Sequence, residues 1–156
     1  MAAISIRFPS VGTRRVRHDT PRTRAAQFND GMTMKTILTV DDSSLMRQMI
    51  KYTLAGAGYS VIEAVDGIDA LAKLTVPVHL VITDLNMPNL DGIGLVKKIR
   101  SNPAYKGLPI LILTTEAARS RALAGKAAGA TGWIVKPFNS AQLLSVLQRV
   151  IGPPAA

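Results

Sequence analysis

Acidic, hydroxyl and lysine side chains stand at the ends of four short apolar runs of this sequence. The runs are TILTV at 36–40, LVIT at 80–83, PILILT at 109–114 and GWIVK at 132–136. The polar residues at their ends are, in order, Asp41 with Asp42, Asp84, Thr114 and Lys136. If the four runs are parallel strands, their carboxyl ends meet at one edge of a sheet, where ligands of such folds bind.

Three carboxylates at one edge repel one another, because two unit charges about 4 Å apart cost about 4 kcal/mol at an effective dielectric of about 20. Lys136 supplies one compensating charge. Since the edge offers oxygen ligands and neither cysteine nor histidine, a bound cation should be hard, either Mg²⁺ or Mn²⁺. Any one of these aspartates alone reads best as a helix cap or turn residue, but the joint placement of three favours a site.

A carboxylate, a divalent cation, a lysine and a hydroxyl group suit phosphoryl transfer, in which a protein mainly positions the phosphoryl group and neutralises its oxygens. A carboxylate can itself be the nucleophile and form an acyl phosphate. Asp84 is then the expected attacking group.

Five strands alternating with five helices must position these residues. Besides the four runs above, YSVIEAV at 59–65 is a predicted strand, the second along the chain. Most of the strands are apolar throughout, as in sheets covered on both faces. Apolar periodicity predicts helices at 43–56, after Asp66-Gly67, at 92–100, at 117–128 and at 140–151. The first helix places Leu45, Met46, Met49 and Ile50 on one face. Strict alternation predicts an α/β fold with a parallel sheet and helices on both faces.

The composition indicates one globular domain of 156 residues, 47% of them apolar and 19% charged. No cysteine is present, which excludes a disulfide scaffold and fits a reducing compartment, so we expect a cytoplasmic protein. The apolar runs are far shorter than the roughly 20 residues that span a membrane. The sequence after Glu116 contains several bases and no acid. It predicts either a docking surface for an acidic partner or a merely basic solvated face.

Residues 1–33 form a basic segment without helical or strand periodicity. They contain six arginines and two aspartates, which is +4 of the formal net charge of +9. We expect a disordered extension here, a domain over 34–152 and a short tail over 153–156. The segment is an idle tail or the product of an over-long start upstream of Met32 or Met34, an arm that binds nucleic acid, or an organelle transit peptide.

Four stretches in order, TVDDSSLMR, ITDLNMPNLDG, LTTEA and WIVKPF, carry a resemblance that covers residues 35 to about 151. They resemble the receiver domain of response regulators in two-component signalling, and most of all its CheY-like, single-domain chemotaxis members. The resemblance implies a five-stranded sheet in the order 2-1-3-4-5. It also implies a signalling phosphoacceptor that catalyses only its own phosphorylation and dephosphorylation.

The resemblance implies that Asp84 is the phosphoacceptor. Asp41 and Asp42 match the acidic pair that, together with Asp84 and the backbone carbonyl of Asn86, holds Mg²⁺ as the cofactor.

The resemblance also implies roles for the two remaining strand ends. Thr114 matches the hydroxyl group that bonds the phosphoryl oxygens, and Lys136 matches the lysine that pairs with them, next to a cis peptide bond before Pro137. Asn86 and Glu116 match two positions that set how long the acyl phosphate lasts. For Glu116, a solvated residue in the first turn of a helix is the alternative.

Trp133 occupies the position of the switch aromatic, where Tyr, Phe or His is usual in the family. The resemblance implies that Thr114 moves towards the phosphoryl group and that the aromatic ring then turns inward. The larger indole should hinder this burial. Trp133 is therefore either a switch residue or an exposed aromatic side chain in a binding surface.

The implied function is that of a stand-alone receiver, since no effector domain follows Gly152-Pro153. A sensor histidine kinase donates the phosphoryl group, and the face built from 117–128, 132–136 and 140–151 then changes its affinity for a downstream output protein. One alternative is a haloacid-dehalogenase-like phosphohydrolase, although its DxD nucleophile motif has no match in Asp41-Asp42-Ser43. The other is a nucleic-acid-binding protein that acts through the arginine arm. We expect no membrane partner.

Overall fold

The computed structural model describes residues 34–115 and 118–154, so the predictions for residues 1–33 and for Glu116 lie outside the described residues. The strands are β1 (Thr36–Val40), β2 (Ser60–Ala64), β3 (Leu80–Asp84), β4 (Ile110–Thr115) and β5 (Gly132–Lys136). The α-helices are α1 (Ser44–Gly56), α2 (Gly67–Lys73), α3 (Gly92–Ser101), α4 (Arg119–Ala128) and α5 (Ser140–Ile151). None of these helices is long and apolar enough to cross a membrane.

The five strands form one sheet in the order β2-β1-β3-β4-β5, and each pair of neighbours is parallel. This confirms the predicted α/β fold and its strand order. Asp84 in β3 pairs with Leu113 in β4, and Thr115 pairs with Lys136 in β5. The carboxyl ends of the central strands therefore lie side by side.

Strand side chains alternate between two apolar cores, one on each face of the sheet. In β4, Ile110 and Ile112 join the core beneath α2, α3 and α4, whereas Leu111 and Leu113 join the core beneath α1 and α5. Both faces are thus covered by helices, which explains why most strands are apolar; the edge strand β2, which contains Glu63, is the exception.

Helix α1 buries a narrower face than its sequence pattern suggests. Ile50 and Leu54 are fully buried and Met46 packs against the same core, but Leu45 is 76% exposed and Met49 is 43% exposed. The prediction that Leu45 and Met49 share the apolar face is wrong in this respect. The buried stripe follows the i, i+4 spacing through Met46, Ile50 and Leu54, which leaves neighbouring positions in solvent.

Side-chain caps fix where four of the helices begin. Each cap accepts a hydrogen bond from a backbone N–H group in the first turn; the caps are Ser43, Asp66, Asp91 and Asn139. Ser43 directly follows the acidic pair after β1, and Asp91 closes the loop after β3. The caps therefore hold the helices at a fixed distance from the strand ends that carry the polar residues.

The loop after Asp84 returns so close to the end of β3 that a glycine is required where α3 begins. The Gly92 N–H donates to the Leu85 carbonyl at 2.9 Å. A Cβ atom at position 92 would overlap the carbonyl oxygen of Asp84 and lie 3.0 Å from the Leu85 Cα. Both obstacles are backbone, so neither can rotate away.

We expect Gly92→Ala to destabilise the fold by about 1–3 kcal/mol, because the added methyl group must push α3 away from β3. Urea unfolding measures the change. Gly107→Ala is the matched control, since a Cβ there meets no atom within 4 Å, and its free energy of unfolding should stay within about 1 kcal/mol of the parent value. Equal effects of the two substitutions would contradict the close approach at Gly92.

Candidate functional site

The residues predicted from four strand ends come together at the carboxyl edge of the sheet. One oxygen from each of Asp41, Asp42 and Asp84 lies within 4.8 Å of the others. Lys136 Nζ lies 3.3 Å from Asp84 Oδ1 and 4.0 Å from Asp41 Oδ2. Thr114 lies in β4, the strand between β3 and β5. The structure thus gathers three carboxylates and one ammonium group in a single cluster.

Asp41 is the buried member of the cluster, with only 1% of its surface exposed. Its Oδ1 accepts a hydrogen bond of 2.9 Å from the Ser43 N–H, whereas its Oδ2 accepts none from the described residues. Burial raises the pKa of Asp41 above its ordinary value; the Ser43 N–H opposes this, and the Asp84 charge adds to it. The fold therefore holds a buried carboxylate oxygen that has no hydrogen-bond donor among the described residues and only Lys136 Nζ, at 4.0 Å, as a positive neighbour.

Asp84 is half-buried and more open to solvent than Asp41. Its Oδ1 accepts two hydrogen bonds, one of 2.8 Å from the Leu85 N–H and one of 3.3 Å from Lys136 Nζ. These two donors restrict the rotation of the carboxylate and leave Oδ2 as the oxygen with lone pairs to offer to a ligand.

The donor set fits a hard divalent cation. The three carboxylates supply only oxygen ligands, and the buried Asp41 Oδ2 has no hydrogen-bond donor among the described residues. A cation such as Mg²⁺ takes one or two carboxylates and keeps several waters, which suits a cluster in which Asp42 is exposed. The residues present therefore fit the predicted metal.

Thr114 lies on the same edge but does not hydrogen-bond to Asp84. Its side chain is buried, and its Oγ1 donates to the carbonyl of Thr115 at 3.1 Å. The peptide bond between Lys136 and Pro137 is cis, as the resemblance implies. The structure brings Thr114 and Lys136 to the carboxyl ends of neighbouring strands.

Asn86 is exposed two residues beyond Asp84, and a residue that the sequence analysis did not single out holds its side chain. Arg121 in α4 donates through Nη1 to Asn86 Oδ1 and through Nη2 to Asp91 Oδ2, the latter at 3.3 Å. In the sequence, Arg121 is one of several bases after Glu116, and no spacing distinguishes it. Only the packing of α4 beside the loop after β3 reveals this contact.

Trp133 is buried, with 2% of its surface exposed, in the core beneath α2, α3 and α4. The alternative in which it is an exposed aromatic residue of a binding surface is therefore wrong, and so is the expectation that the size of the indole hinders burial. The same core contains two small residues, Ala128 at the end of α4 and Ala130 just beyond it. Its Nε1 has no hydrogen-bond acceptor among the described residues.

The raised pKa of Asp41 predicts how the metal-free protein responds to pH. The folded protein holds this proton more tightly than the unfolded chain, so the contribution of Asp41 to stability is largest below its ordinary pKa of 3.8 and is lost as pH rises through the folded-state pKa. Asp41→Asn removes this titration. With EDTA present, we expect the melting temperature of the parent protein relative to Asp41→Asn to fall as pH rises.

Saturating Mg²⁺ should restore the stability of the parent protein at neutral pH, because Mg²⁺ binds the ionised carboxylate of Asp41. The effect should be much smaller in Asp41→Asn, because the asparagine side chain is uncharged. Melting curves of the parent protein and of Asp41→Asn, recorded with EDTA and with Mg²⁺ from below the ordinary pKa of Asp41 to neutral pH, test both expectations. A difference between parent and variant that does not depend on pH would count against the burial argument.

Comparisons with known proteins identify the family of this fold. The family model described as the response regulator receiver domain matches residues 37–148. Chemotaxis protein CheY1 of Helicobacter pylori is 43% identical over 119 residues, which are 74% of this chain and 96% of that protein. The structure of chemotaxis response regulator CheY4 of Vibrio cholerae superposes with a TM-score of 0.72 at 50% identity, over 76% of this chain and 99% of that chain.

A third relative bears on the metal. The receiver domain of sensor histidine kinase PA1611 from Pseudomonas aeruginosa, described with a magnesium ion coordinated in its active-site cleft, superposes with a TM-score of 0.71 at 30% identity. The matched region covers 77% of this chain and 99% of that domain. With the parallel sheet and the acidic cluster at its edge, these matches show that the chain belongs to the family of response-regulator receiver domains.

Proposed function

We propose that this protein accepts a phosphoryl group on Asp84 from a histidine kinase in a Mg²⁺-dependent reaction, and that the modification changes partner binding through α4, β5 and α5. The observation that carries the proposal is the cluster itself. One oxygen of Asp84 lies within 4.8 Å of ligand atoms of Asp41 and Asp42, and its Oδ1 lies 3.3 Å from Lys136 Nζ.

Asp84 is the nucleophile in this proposal. Because Oδ1 already accepts hydrogen bonds from Leu85 and Lys136, Oδ2 is the oxygen that attacks phosphorus. As the bond between Oδ2 and phosphorus forms, the bond from phosphorus to the donor histidine nitrogen breaks and its electron pair returns to the imidazole. The product is an acyl phosphate with one more negative charge than the Asp84 carboxylate.

Lys136 and Thr114 then act on the added charge. The Lys136 ammonium group, already beside Asp84, pairs with a phosphoryl oxygen, and the Thr114 hydroxyl exchanges its bond to the Thr115 carbonyl for one to another phosphoryl oxygen. Asp41, Asp42, Asp84 and the Asn86 carbonyl are the groups that would hold Mg²⁺, which would supply positive charge to the phosphoryl oxygens. Asp41 and Asp42 thus serve as ligands and Asp84 as ligand and acceptor.

The proposed output face, formed by α4, β5 and α5, combines a buried strand with exposed basic side chains. Trp133 and Ile134 of β5 are buried, whereas Arg121 and Arg149 on the flanking helices are exposed. A downstream partner with an acidic patch would complement such a face. Glu116, the second residue that the resemblance assigns to lifetime control, keeps that role here as a proposal from the sequence alone.

Incubation with acetyl phosphate and Mg²⁺ should give a single labile phosphoryl adduct by intact mass. We expect Asp84→Asn to form none, because the amide is a poor nucleophile, and Lys136→Ala to form it on the order of 10²-fold more slowly, since one donor to the developing charge is lost. EDTA should prevent the reaction.

Asp69→Asn is the matched control, because Asp69 lies in α2 and pairs with Lys73 away from the cluster. It should react at the parent rate. An adduct that persists in Asp84→Asn, or that forms equally well with EDTA, would end the proposal.

The burial of Trp133 predicts that its accessibility to a fluorescence quencher stays low before and after activation. Since the ring is buried before phosphorylation, its fluorescence should resist acrylamide quenching in the metal-free protein and continue to do so with Mg²⁺ and beryllofluoride. Trp133 is the only tryptophan in the chain, so the signal is unambiguous, and N-acetyltryptophanamide gives the fully exposed reference. Quenching close to that reference before activation, followed by protection, would instead support an inward-turning ring.

A further inference from the structure

Arg121 connects two parts of the molecule that the site depends on. It lies on α4, yet both of its described partners, Asn86 and Asp91, belong to the loop between β3 and α3. These partners are 35 and 30 residues away in sequence. One guanidinium group therefore joins α4 to the loop that begins at the proposed phosphoacceptor.

Asp91 gives the arginine a fixed anchor. Its Oδ1 accepts a 2.7 Å hydrogen bond from the Gly94 N–H and so caps α3, while its Oδ2 accepts from Arg121. The same carboxylate thus serves the helix and the arginine with different oxygens. Because the start of α3 packs against the Asp84 carbonyl at Gly92, and the Gly92 N–H bonds the Leu85 carbonyl, the anchor lies close to the end of β3 that carries Asp84.

Among the described residues, Arg121 is the one that restrains the Asn86 side chain by a hydrogen bond. Its side chain is exposed, and its hydrogen bond from Arg121 is the only one among the described residues. An exposed asparagine without such a bond would sample several rotamers. With Oδ1 engaged by the guanidinium group, the orientation of the amide is set, and Nδ2 is the group left to contact a water molecule at the mouth of the site.

We propose that Arg121 is a positioning residue that sets the rate of hydrolysis of the acyl phosphate through the side chain of Asn86. The inference deepens the proposed function and rests on it. In the hydrolysis a water oxygen attacks phosphorus, the bond from phosphorus to the Asp84 oxygen breaks, and its electron pair restores the carboxylate. Inorganic phosphate leaves with the water oxygen, and the proton released goes to solvent.

The geometry favours positioning over simple charge. The arginine and Asp91 side chains are 48% and 40% exposed, so their ion pair alone contributes little. A guanidinium group can bond two separate acceptors with fixed directions, whereas a lysine ammonium group behaves as a point charge on a flexible chain. Holding Asn86 in one orientation increases the fraction of time that the attacking water is correctly placed.

The test is a double-mutant comparison of acyl phosphate lifetimes after removal of the donor. We expect Arg121→Ala to lengthen the lifetime by about three- to tenfold, which is less than the roughly 10²-fold that a 1 Å misplacement of a reacting group can cost. Arg121→Lys should lengthen the lifetime similarly, because lysine keeps the positive charge but lacks the planar guanidinium group that bonds both acceptors. In an Asn86→Ala background, Arg121→Ala should add no further change. Lys126→Ala on the same helix is the control and should match the parent.

A second measurement observes the contact without any phosphorylation. The side-chain amide resonances of Asn86 in the metal-free protein, assigned by their loss in Asn86→Ala, should shift in Arg121→Ala and stay in place in Lys126→Ala. Resonances that do not shift in Arg121→Ala would overturn the contact itself.

The outcomes separate the inference from the proposal beneath it. If the parent protein forms no adduct, the proposed phosphorylation fails. If the adduct forms and its lifetime in Arg121→Ala is unchanged or shorter, the inference alone is overturned. Full rescue by Arg121→Lys, or an equal effect of Arg121→Ala with and without Asn86, would assign the arginine to charge and not to positioning, and would overturn it as well.

Discussion

Asp41, Asp42 and Asp84 lie close together at the carboxyl edge of the sheet, and their mutual repulsion must be offset by positive charge. Asp41 follows β1, which lies between β2 and β3, so its carboxylate is fixed and nearly excluded from water. Lys136 must offset that charge from β5, two strands away from β3. Strands lie about 4.8 Å apart, so only a long side chain that passes the end of β4 can reach Asp84. The length of lysine, and not only its charge, is what this position requires.

The backbone after Asp84 ties the chemistry to the scaffold. The Leu85 N–H holds the Asp84 carboxylate, the Leu85 carbonyl accepts from Gly92, and the Asp84 carbonyl sits against the start of α3. Every added group on Asp84 is therefore attached to a loop with little freedom of its own. Through Asp91 and Arg121 the same loop reaches α4, so a continuous series of contacts runs from the proposed acceptor to the proposed output face.

The sequence was sufficient for features that follow from strand ends. Apolar runs followed by Asp84 or Lys136 identified both the elements and the edge where they meet, because a parallel sheet places all carboxyl ends together. The strand order came from the resemblance, since alternation alone permits several orders. Exposure of Leu45 could not be predicted, because a helical pattern does not show how wide the covering core is. Arg121 was missed because its role depends on the packing of α4 against a distant loop.

The burial of Trp133 limits the ways in which the proposed output face, formed by α4, β5 and α5, could change its conformation. Its Nε1 lacks a described acceptor, and leaving a buried donor unpaired costs about 1–3 kcal/mol. Packing must therefore hold the ring inside, in a core that also contains Ala128 of α4 and Ile112 of β4, and Gly125 of α4 lies close to Ile112. Because α4 contributes to the core that contains the indole and also carries Arg121, a shift of this helix would affect both that core and the contact with Asn86. If the proposed phosphorylation acts through this face, the position of α4, more than the direction of one aromatic side chain, is the quantity that it would change.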